Sequence, residues 1–354
     1  MKTPTRFRIV PGRPYSLVLT GARFARFPEI VDRFDGRTYR RLLLSGRAAA
    51  LVSIIQRGGP DRAVLEVSLE GPGAGSPAAE AAALRLIERS LGAASSTDDD
   101  LMGFYRACAA DPLLAASIRD FRGLRVAGYP SLWEALVTAI LCQQVNLRFA
   151  YDIRREMAVA LGRRARIDNA VHVDFPSPAS VARLTPRELR RFRLSRNKAA
   201  AIRGLARAFA EGALAEESVA ALPDEEAIAT LTAFGGVGRW TAEIALLRGL
   251  GRTDIFPAGD LGVVKYLAIG LLGKSARVKE EEMRRFAERW KPHRSFALVY
   301  AYAELARREA EARAAKSAAA ATNAVATSPA ARSPRRADPR PSRPRTGSAR
   351  SRRR

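Results

Sequence analysis

The chain has 354 residues, and its 60 Lys and Arg against 36 Asp and Glu give a formal net charge of +24 at pH 7. This charge favours a polyanionic partner, with nucleic acid as the leading candidate, although charge alone does not separate DNA from RNA or from a membrane surface. The length allows two or three compact units, and no apolar run is long enough to cross a membrane.

Cysteine and histidine usage excludes several other kinds of site. Cys108 and Cys142 lie far apart, so they predict neither a disulfide framework nor a four-cysteine iron–sulfur cluster. His172 and His293 are isolated and give no zinc pattern. Because the sequence also shows no signal peptide, we expect a soluble, cytoplasmic protein without a cofactor.

Residues 1–96 carry most of the strand signals and predict a small α+β domain. Apolar residues alternate with others over 15–19 and over 65–69, which predicts two strands. The run 42–56 is broken by a glycine and predicts two more strands, and 77–91 predicts an amphipathic helix. We expect this domain to act in packing and scaffolding, since it carries no recognisable chemistry.

Residues 97–309 show helical periodicity and predict an all-α unit. An apolar helix predicted over 132–141 leads into two adjacent amides, Gln143 and Gln144. Buried amides need partners, so these side chains either bind neighbouring backbone or face a ligand. Further along, Ser195 is a predicted N-cap of another amphipathic helix.

The segment 231–265 is predicted to form a helix, a glycine hairpin, a second helix and a Pro/Gly loop that ends at Asp260. Such a hairpin leaves backbone N–H groups unpaired in the first turn of the second helix, where they suit a phosphate oxygen. A glycine turn and an Asp before a helix are each common structural features. Their order and spacing together favour a functional interpretation.

Residues 310–354 differ in composition from the rest of the chain. Ala, Ser, Pro and Arg dominate, aromatic residues are absent, and the stretch 317–354 contains ten Arg and one Asp. Such a segment cannot bury a core, which predicts a disordered tail. Its positive charge predicts DNA binding through counterion release, without sequence preference.

The hairpin, the second helix, the Pro/Gly loop and Asp260, followed by Trp290-Lys291-Pro292-His293-Arg294-Ser295, resemble the helix-hairpin-helix (HhH-GPD) DNA glycosylase superfamily. The resemblance covers about 100–308, and the preceding α+β domain makes the chain similar to the DNA-3-methyladenine glycosylase II (AlkA) family. Together with the composition, it predicts a mainly α fold: a small N-terminal α+β domain (1–96), an all-α glycosylase unit (97–309) and a disordered basic tail (310–354).

The resemblance implies base excision repair, in which the enzyme flips out an alkylated purine such as 3-methyladenine and hydrolyses its N-glycosidic bond. Asp260 would stabilise the oxocarbenium-like sugar. Trp240 and Tyr302 would stack on the cationic base, and Gln143 would line the pocket. Ile244 stands where the similar enzymes have a tyrosine, and a glycine replaces their second Asp, which leaves the base preference open.

The resemblance also implies how double-stranded DNA carrying a damaged base is held. Gln144 would be the wedge that fills the gap left by the flipped base, at a position where the similar family has an apolar residue. Carbonyl groups near Phe234 and Val237 could hold a monovalent cation. The residues that would contact the DNA backbone are Gly236, Val237, Gly238, Arg239 and Thr241.

Trp240 also bears on the type of reaction. Bifunctional members of the superfamily have a lysine here, and without that amine no Schiff base can form. We therefore expect a monomeric, nucleoid-associated enzyme that leaves an intact abasic site. Two alternatives remain open: a glycosylase for deaminated or mismatched bases, and a DNA-binding protein without catalysis.

Overall fold

This computed structural model describes residues 4–27, 29–45, 48–93 and 100–326. The chain divides into two compact units, Met1–Arg307 and Arg308–Arg354. The sheet and the helices around the candidate site both belong to the first unit. No helix in the described ranges has the length and apolarity that a membrane span requires.

The N-terminal part of the first unit is an antiparallel sheet with two helices, an α+β arrangement as the sequence predicts, although only the second helix was predicted. The strands are β1 (Thr5–Ile9), β2 (Arg33–Phe34), β3 (Thr38–Ser45), β4 (Ala48–Arg57) and β5 (Val64–Glu70). Their order in the sheet is β1-β5-β4-β3-β2. Helix α1 (Leu17–Ala25) follows β1, and α2 (Pro77–Leu91), which has the bounds predicted for the amphipathic helix, follows β5.

The strand prediction for 15–19 is wrong, because this stretch opens α1. Ser16 caps the helix by accepting a hydrogen bond from the Leu19 backbone amide at 3.3 Å. The buried residues then follow helical spacing, at Leu17, Thr20, Gly21 and Phe24. Three apolar residues at alternate positions were too short a run to distinguish a strand from the start of this helix.

The second part of the first unit is helical. Its first helices are α3 (Asp100–Cys108), α4 (Ala115–Asp120), α5 (Leu132–Cys142), α6 (Leu147–Leu161), α7 (Pro178–Ala182), α8 (Pro186–Leu189), α9 (Arg196–Ala210) and α10 (Glu216–Ala220). The remaining ones are α11 (Asp224–Thr232), α12 (Arg239–Gly249), a π-helix (Gly262–Leu267), α13 (Ala268–Gly270), α14 (Glu280–Ala287) and α15 (Arg294–Ala326). Ser195 caps α9, as predicted, by accepting from the Lys198 amide at 3.2 Å.

Two features depart from the predicted all-α unit and tail. Strands β6 (Arg164–Ile167) and β7 (Ala170–Val173) form an antiparallel hairpin, and Asp168 and Asn169 between them both have positive φ, the geometry of a tight type I′ turn. Helix α15 continues past residue 310 to Ala326, because its alanine-rich sequence has high helix propensity. Residues 327–354, which hold ten of the eleven arginines of the tail, lie outside the described ranges.

A buried network of charges joins the sheet to the helices. Arg41 on β3 donates to Asp32 at 2.8 Å and to Glu134 on α5 at 2.7 Å. Arg154 on α6 is fully buried and pairs with Glu134 and Glu29. Each charge in the network has a partner of opposite sign, so the network fixes how α5 and α6 meet the sheet.

Candidate active site

The predicted helix-hairpin-helix is formed by α11, the turn at 234–238 and α12. Gly236 has φ +85°, and a Cβ on it would lie 2.5 Å from Ala201 Cβ on α9, so this glycine is required both by conformation and by packing. Gly238 is the N-cap of α12 and provides no side-chain cap. The backbone N–H groups of the first turn of α12 are therefore free of a capping side chain, as an anion site requires.

Gln143, at the end of α5, ties that helix to the hairpin. Its Nε2 donates to the Gly236 carbonyl at 3.0 Å and to Thr241 Oγ1 at 2.9 Å. Lys198 Nζ donates to the carbonyls of Leu141 and Gln143 at 2.9 and 2.8 Å, and burial lowers its pKa. The Gln143 side-chain amide therefore hydrogen-bonds to protein atoms, which is one of the two alternatives that the sequence left open. Its role in lining the base pocket stays a prediction.

Gln144 differs from its neighbour. It is exposed and has φ +53°, a left-handed conformation that is costly for a residue with a side chain. Within the described residues its side chain makes no hydrogen bond, so it is free to contact something outside the chain.

Asp260 is half-buried, and three donors hold its carboxylate. Trp240 Nε1 donates to Oδ1 at 2.9 Å, while the Tyr302 hydroxyl and the Gly262 amide donate to Oδ2 at 2.6 and 3.1 Å. Burial, together with the charge of Asp260, raises the pKa of Tyr302 well above its ordinary value, so its hydroxyl stays protonated and can donate. Trp240 and Tyr302, predicted as stacking residues, thus turn their polar groups toward Asp260.

The loop that carries Asp260 is held by the start of α15. Arg294 donates to both oxygens of Asp254, at 2.7 and 3.0 Å. The fully buried Ser295 accepts from the Ile255 amide at 3.0 Å and donates to the Arg252 carbonyl at 2.7 Å. The Arg294-Ser295 pair therefore fixes the loop that leads to the carboxylate.

The other predicted residues of α12 have their side chains largely committed within the protein. Arg239 pairs with Glu225 at 2.6 Å and with Glu243 at 3.0 Å. Thr241 is buried, and Ile244 is half-buried one turn after Trp240. Arg239 and Thr241 could therefore bind a phosphate through their backbone N–H groups.

Metal ligands and amines near the site are few. In the described part of the chain, no group of three or more His, Cys, Asp and Glu could hold a metal ion. The Phe234 carbonyl already accepts the Val237 amide at 3.1 Å. Lys265 is exposed, with its Nζ 5.4 Å from the centre of the Tyr266 ring.

The sequence assigns no role to some residues that shape the site. Lys198 lies in a predicted capped helix, with no function predicted for its side chain, and Gly262 lies in a predicted apolar helix. Their contacts join segments that are far apart in the chain, as in the Lys198 bonds to α5 and the closeness of Gly262 to Tyr302. Spacing along one sequence does not reveal such contacts.

A hairpin with free backbone amides, placed beside a carboxylate that three donors orient, is the arrangement expected of a protein that binds a phosphate backbone next to a reactive group. Residues 137–292 match the model of the HhH-GPD superfamily of base excision DNA repair proteins. The chain is 35% identical over 208 residues to a DNA-3-methyladenine glycosylase of Bacillus subtilis (strain 168), which covers 59% of this chain and 68% of that relative. The chain belongs to this superfamily.

Two further comparisons extend the similarity. DNA-3-methyladenine glycosylase 2 of Escherichia coli (strain K12) is 34% identical over 180 residues, which is 51% of this chain and 60% of that protein. The structure of a 3-methyladenine DNA-glycosylase from Archaeoglobus fulgidus superposes with a TM-score of 0.72 and 25% identity, over 84% of this chain and 98% of that one. The structural match therefore includes the sheet as well as the helices.

Proposed function

We propose that the protein is a DNA glycosylase of base excision repair that removes alkylated purines such as 3-methyladenine and leaves an abasic site. The observation that carries this proposal is the Asp260 carboxylate, oriented by three donors at the end of the loop that follows the hairpin. The named relatives support the assignment to alkylated bases.

The chemistry suits this geometry. An N-alkylated purine is cationic and leaves with the electron pair of the N-glycosidic bond, so it needs little help from a general acid. The sugar that remains has oxocarbenium character, which an ionised Asp260 stabilises electrostatically. A water then forms the new bond to the anomeric carbon and loses its proton to solvent or to the carboxylate.

DNA binding would use the hairpin and the turn that follows α5. The first-turn amides of α12 would bind one phosphate, and Gln144 would enter the gap left by the flipped base. Backbone carbonyls near Phe234 and Val237 are oxygen donors of the kind that monovalent cations prefer, and a cation there would add positive charge beside the phosphate. We propose a monomer for this complex.

The chemical character of the residues in the proposed base pocket determines which base binds there. Trp240 and Tyr302 would offer aromatic faces to the base, but each also donates to Asp260, and Ile244 offers an aliphatic face. A pocket with less aromatic surface gains less from a cationic base. This observation favours a second candidate function, removal of neutral deaminated bases.

We propose that the enzyme does not cleave the strand. Trp240 has no amine, Lys265 lies on the exposed side of its helix, and Lys198 Nζ is held by two carbonyls. Borohydride treatment during turnover should therefore trap no protein–DNA adduct. An adduct that forms in the native protein and disappears in Lys198→Met would instead identify Lys198 as a lyase nucleophile.

The decisive test is base release from a panel of duplexes carrying 3-methyladenine, 7-methylguanine, hypoxanthine or a mismatch. We expect release of the alkylated purines, and Asp260→Asn should lower it about 100-fold or more while affinity for a duplex with an uncleavable abasic analogue stays within about threefold. Release of hypoxanthine alone would favour the second candidate. Binding without any release would indicate a non-catalytic DNA-binding protein.

A further inference from the structure

The start of the π-helix contains a contact that only glycine permits. A Cβ placed on Gly262 would lie 2.3 Å from the Tyr302 hydroxyl and 2.7 Å from Asp260 Oδ2. Both distances are shorter than real Cβ contacts, so any other residue here would displace one of the two groups. The backbone φ of Gly262 is not in the left-handed region, which leaves close approach as the reason for glycine.

The close approach matters because it completes the hydrogen bonds of one carboxylate oxygen. Oδ2 accepts hydrogen bonds from the Gly262 amide and from the hydroxyl of Tyr302, which lies 42 residues after Asp260 in the chain. Each carboxylate oxygen accepts about two hydrogen bonds. Oδ2 is therefore saturated, while Oδ1 accepts only from Trp240 among the described residues and keeps a lone pair available.

We propose that Gly262 is a positioning residue for Asp260. By leaving room for the Tyr302 hydroxyl, it fixes the carboxylate so that Oδ1, and not Oδ2, faces the anomeric carbon and the attacking water. This inference rests on the proposed function. The π-helix contributes to the same arrangement, because its wider turn begins at Gly262, and such turns are frequent at functional sites.

Gly262→Ala tests the proposal, with Gly204→Ala as the matched control. Gly204 also lies in a helix, and a Cβ there would meet nothing within 4 Å. We expect Gly262→Ala to lower the single-turnover rate of base release about 100-fold, the loss typical of a misplacement near 1 Å. Affinity for the abasic-analogue duplex should change less than about threefold, and Gly204→Ala should match the native protein in both measurements.

A double-mutant cycle with Tyr302→Phe separates positioning from a general structural defect. Removing the hydroxyl takes away the shortest contact of the new methyl group, while Asp260 Oδ2 at 2.7 Å and the ring carbon Cζ of residue 302 at 2.9 Å remain. Gly262→Ala should therefore cost less in the Tyr302→Phe protein, about tenfold, than in the native one, about 100-fold. Equal costs in both backgrounds would overturn the proposal. The cycle also applies if Gly262→Ala alone folds poorly, because the double variant should then recover part of the lost melting temperature.

The proposal and the proposed function fail in different ways. If the native protein releases no base from any duplex, the glycosylase assignment is wrong. If the native protein is active and Asp260→Asn is not, but Gly262→Ala keeps the native rate, the assignment stands and the positioning role of Gly262 is wrong.

Discussion

The two oxygens of Asp260 have different surroundings, and Trp240 is the residue that contacts Oδ1. The sequence predicted Trp240 as a flat surface for the base, which its half-buried ring still allows. The structure adds a second property, since the indole N–H donates to the carboxylate. A hydrogen bond to a charged group contributes roughly 1.5–3 kcal/mol, enough to affect the reaction.

Trp240→Phe separates these two properties. Phenylalanine keeps an aromatic face but has no N–H, so Asp260 Oδ1 loses its donor. We expect base release to fall about tenfold or more, with less effect on affinity for the abasic-analogue duplex. If stacking were the whole role of Trp240, the Phe variant would release a cationic base at close to the native rate.

At this scale, the sequence indicates candidate residues but not their contacts. Asp260 is a candidate because of its loop, the helix start and the family resemblance, and Gln143 because two amides follow an apolar helix. The bonds from Gln143 to Gly236 and Thr241 join segments more than 90 residues apart. Such contacts depend on the packing of whole helices, which local spacing does not encode.

In the hairpin, the proposed phosphate site and helix stability favour different residues at one position. Gly238 is the N-cap of α12, where Asp or Ser would be more stabilising. A side chain there would bind the same first-turn amides that the proposed phosphate needs. Glycine leaves these amides free.

Gly238→Asp should therefore raise stability by a few tenths of a kcal/mol while lowering DNA affinity about tenfold at fixed salt. Its φ of −87° and ψ of 172° suit a capping Asp, and a Cβ there meets nothing within 4 Å. Gly235→Asp is the control, because it adds the same charge to the same turn, also in open space, away from the N-cap. Equal losses of affinity in both variants would mean that charge alone matters and that the amides do not bind phosphate.

The buried charges between sheet and helices give a second prediction at the scale of elements. Arg154→Met leaves Glu29 and Glu134 without this partner in a buried site, so the free energy of unfolding should fall by about 3–5 kcal/mol. Arg122→Met removes an ion pair with Asp61 at 2.6 Å that also joins the helical part to the sheet part but is exposed. That control should lose less than about 1 kcal/mol in the same denaturant titration. If the two variants lost similar amounts of unfolding free energy, burial would not explain the contribution of the Arg154 ion pairs.

These elements also show where prediction from sequence ends. The hairpin β6–β7 had a recognisable signal, because Asp168-Asn169 lies between two short alternating runs, although the surrounding helical periodicity obscured it. The charge network had none: Arg41 lies just before the run 42–56 that predicts strands, and Arg154 lies in the part that predicts only helices. Paired buried charges are recognisable only when the fold brings them together.

For the whole molecule, the net charge of +24 resides partly in the last 28 residues, which hold ten Arg and one Asp. A chain ending at residue 326 should keep its melting temperature and its rate of base release on saturating DNA. Its affinity for undamaged duplex should fall, and the slope of log K against log salt should become less steep by about 0.9 for each phosphate that the shortened chain no longer neutralises. An unchanged slope would show that these arginines do not bind DNA.

The hydrogen bond from Trp240 to Asp260 has an optical consequence for the molecule as a whole. The chain contains three tryptophans, and Trp133 and Trp290 are only 5% and 3% exposed within the core. Their emission should change little when DNA binds. Trp240 is half-buried, and its indole N–H faces the carboxylate on which we place the reaction. A base that enters the site would alter the polarity around this ring, so the intrinsic fluorescence of the unlabelled protein should follow base insertion in real time.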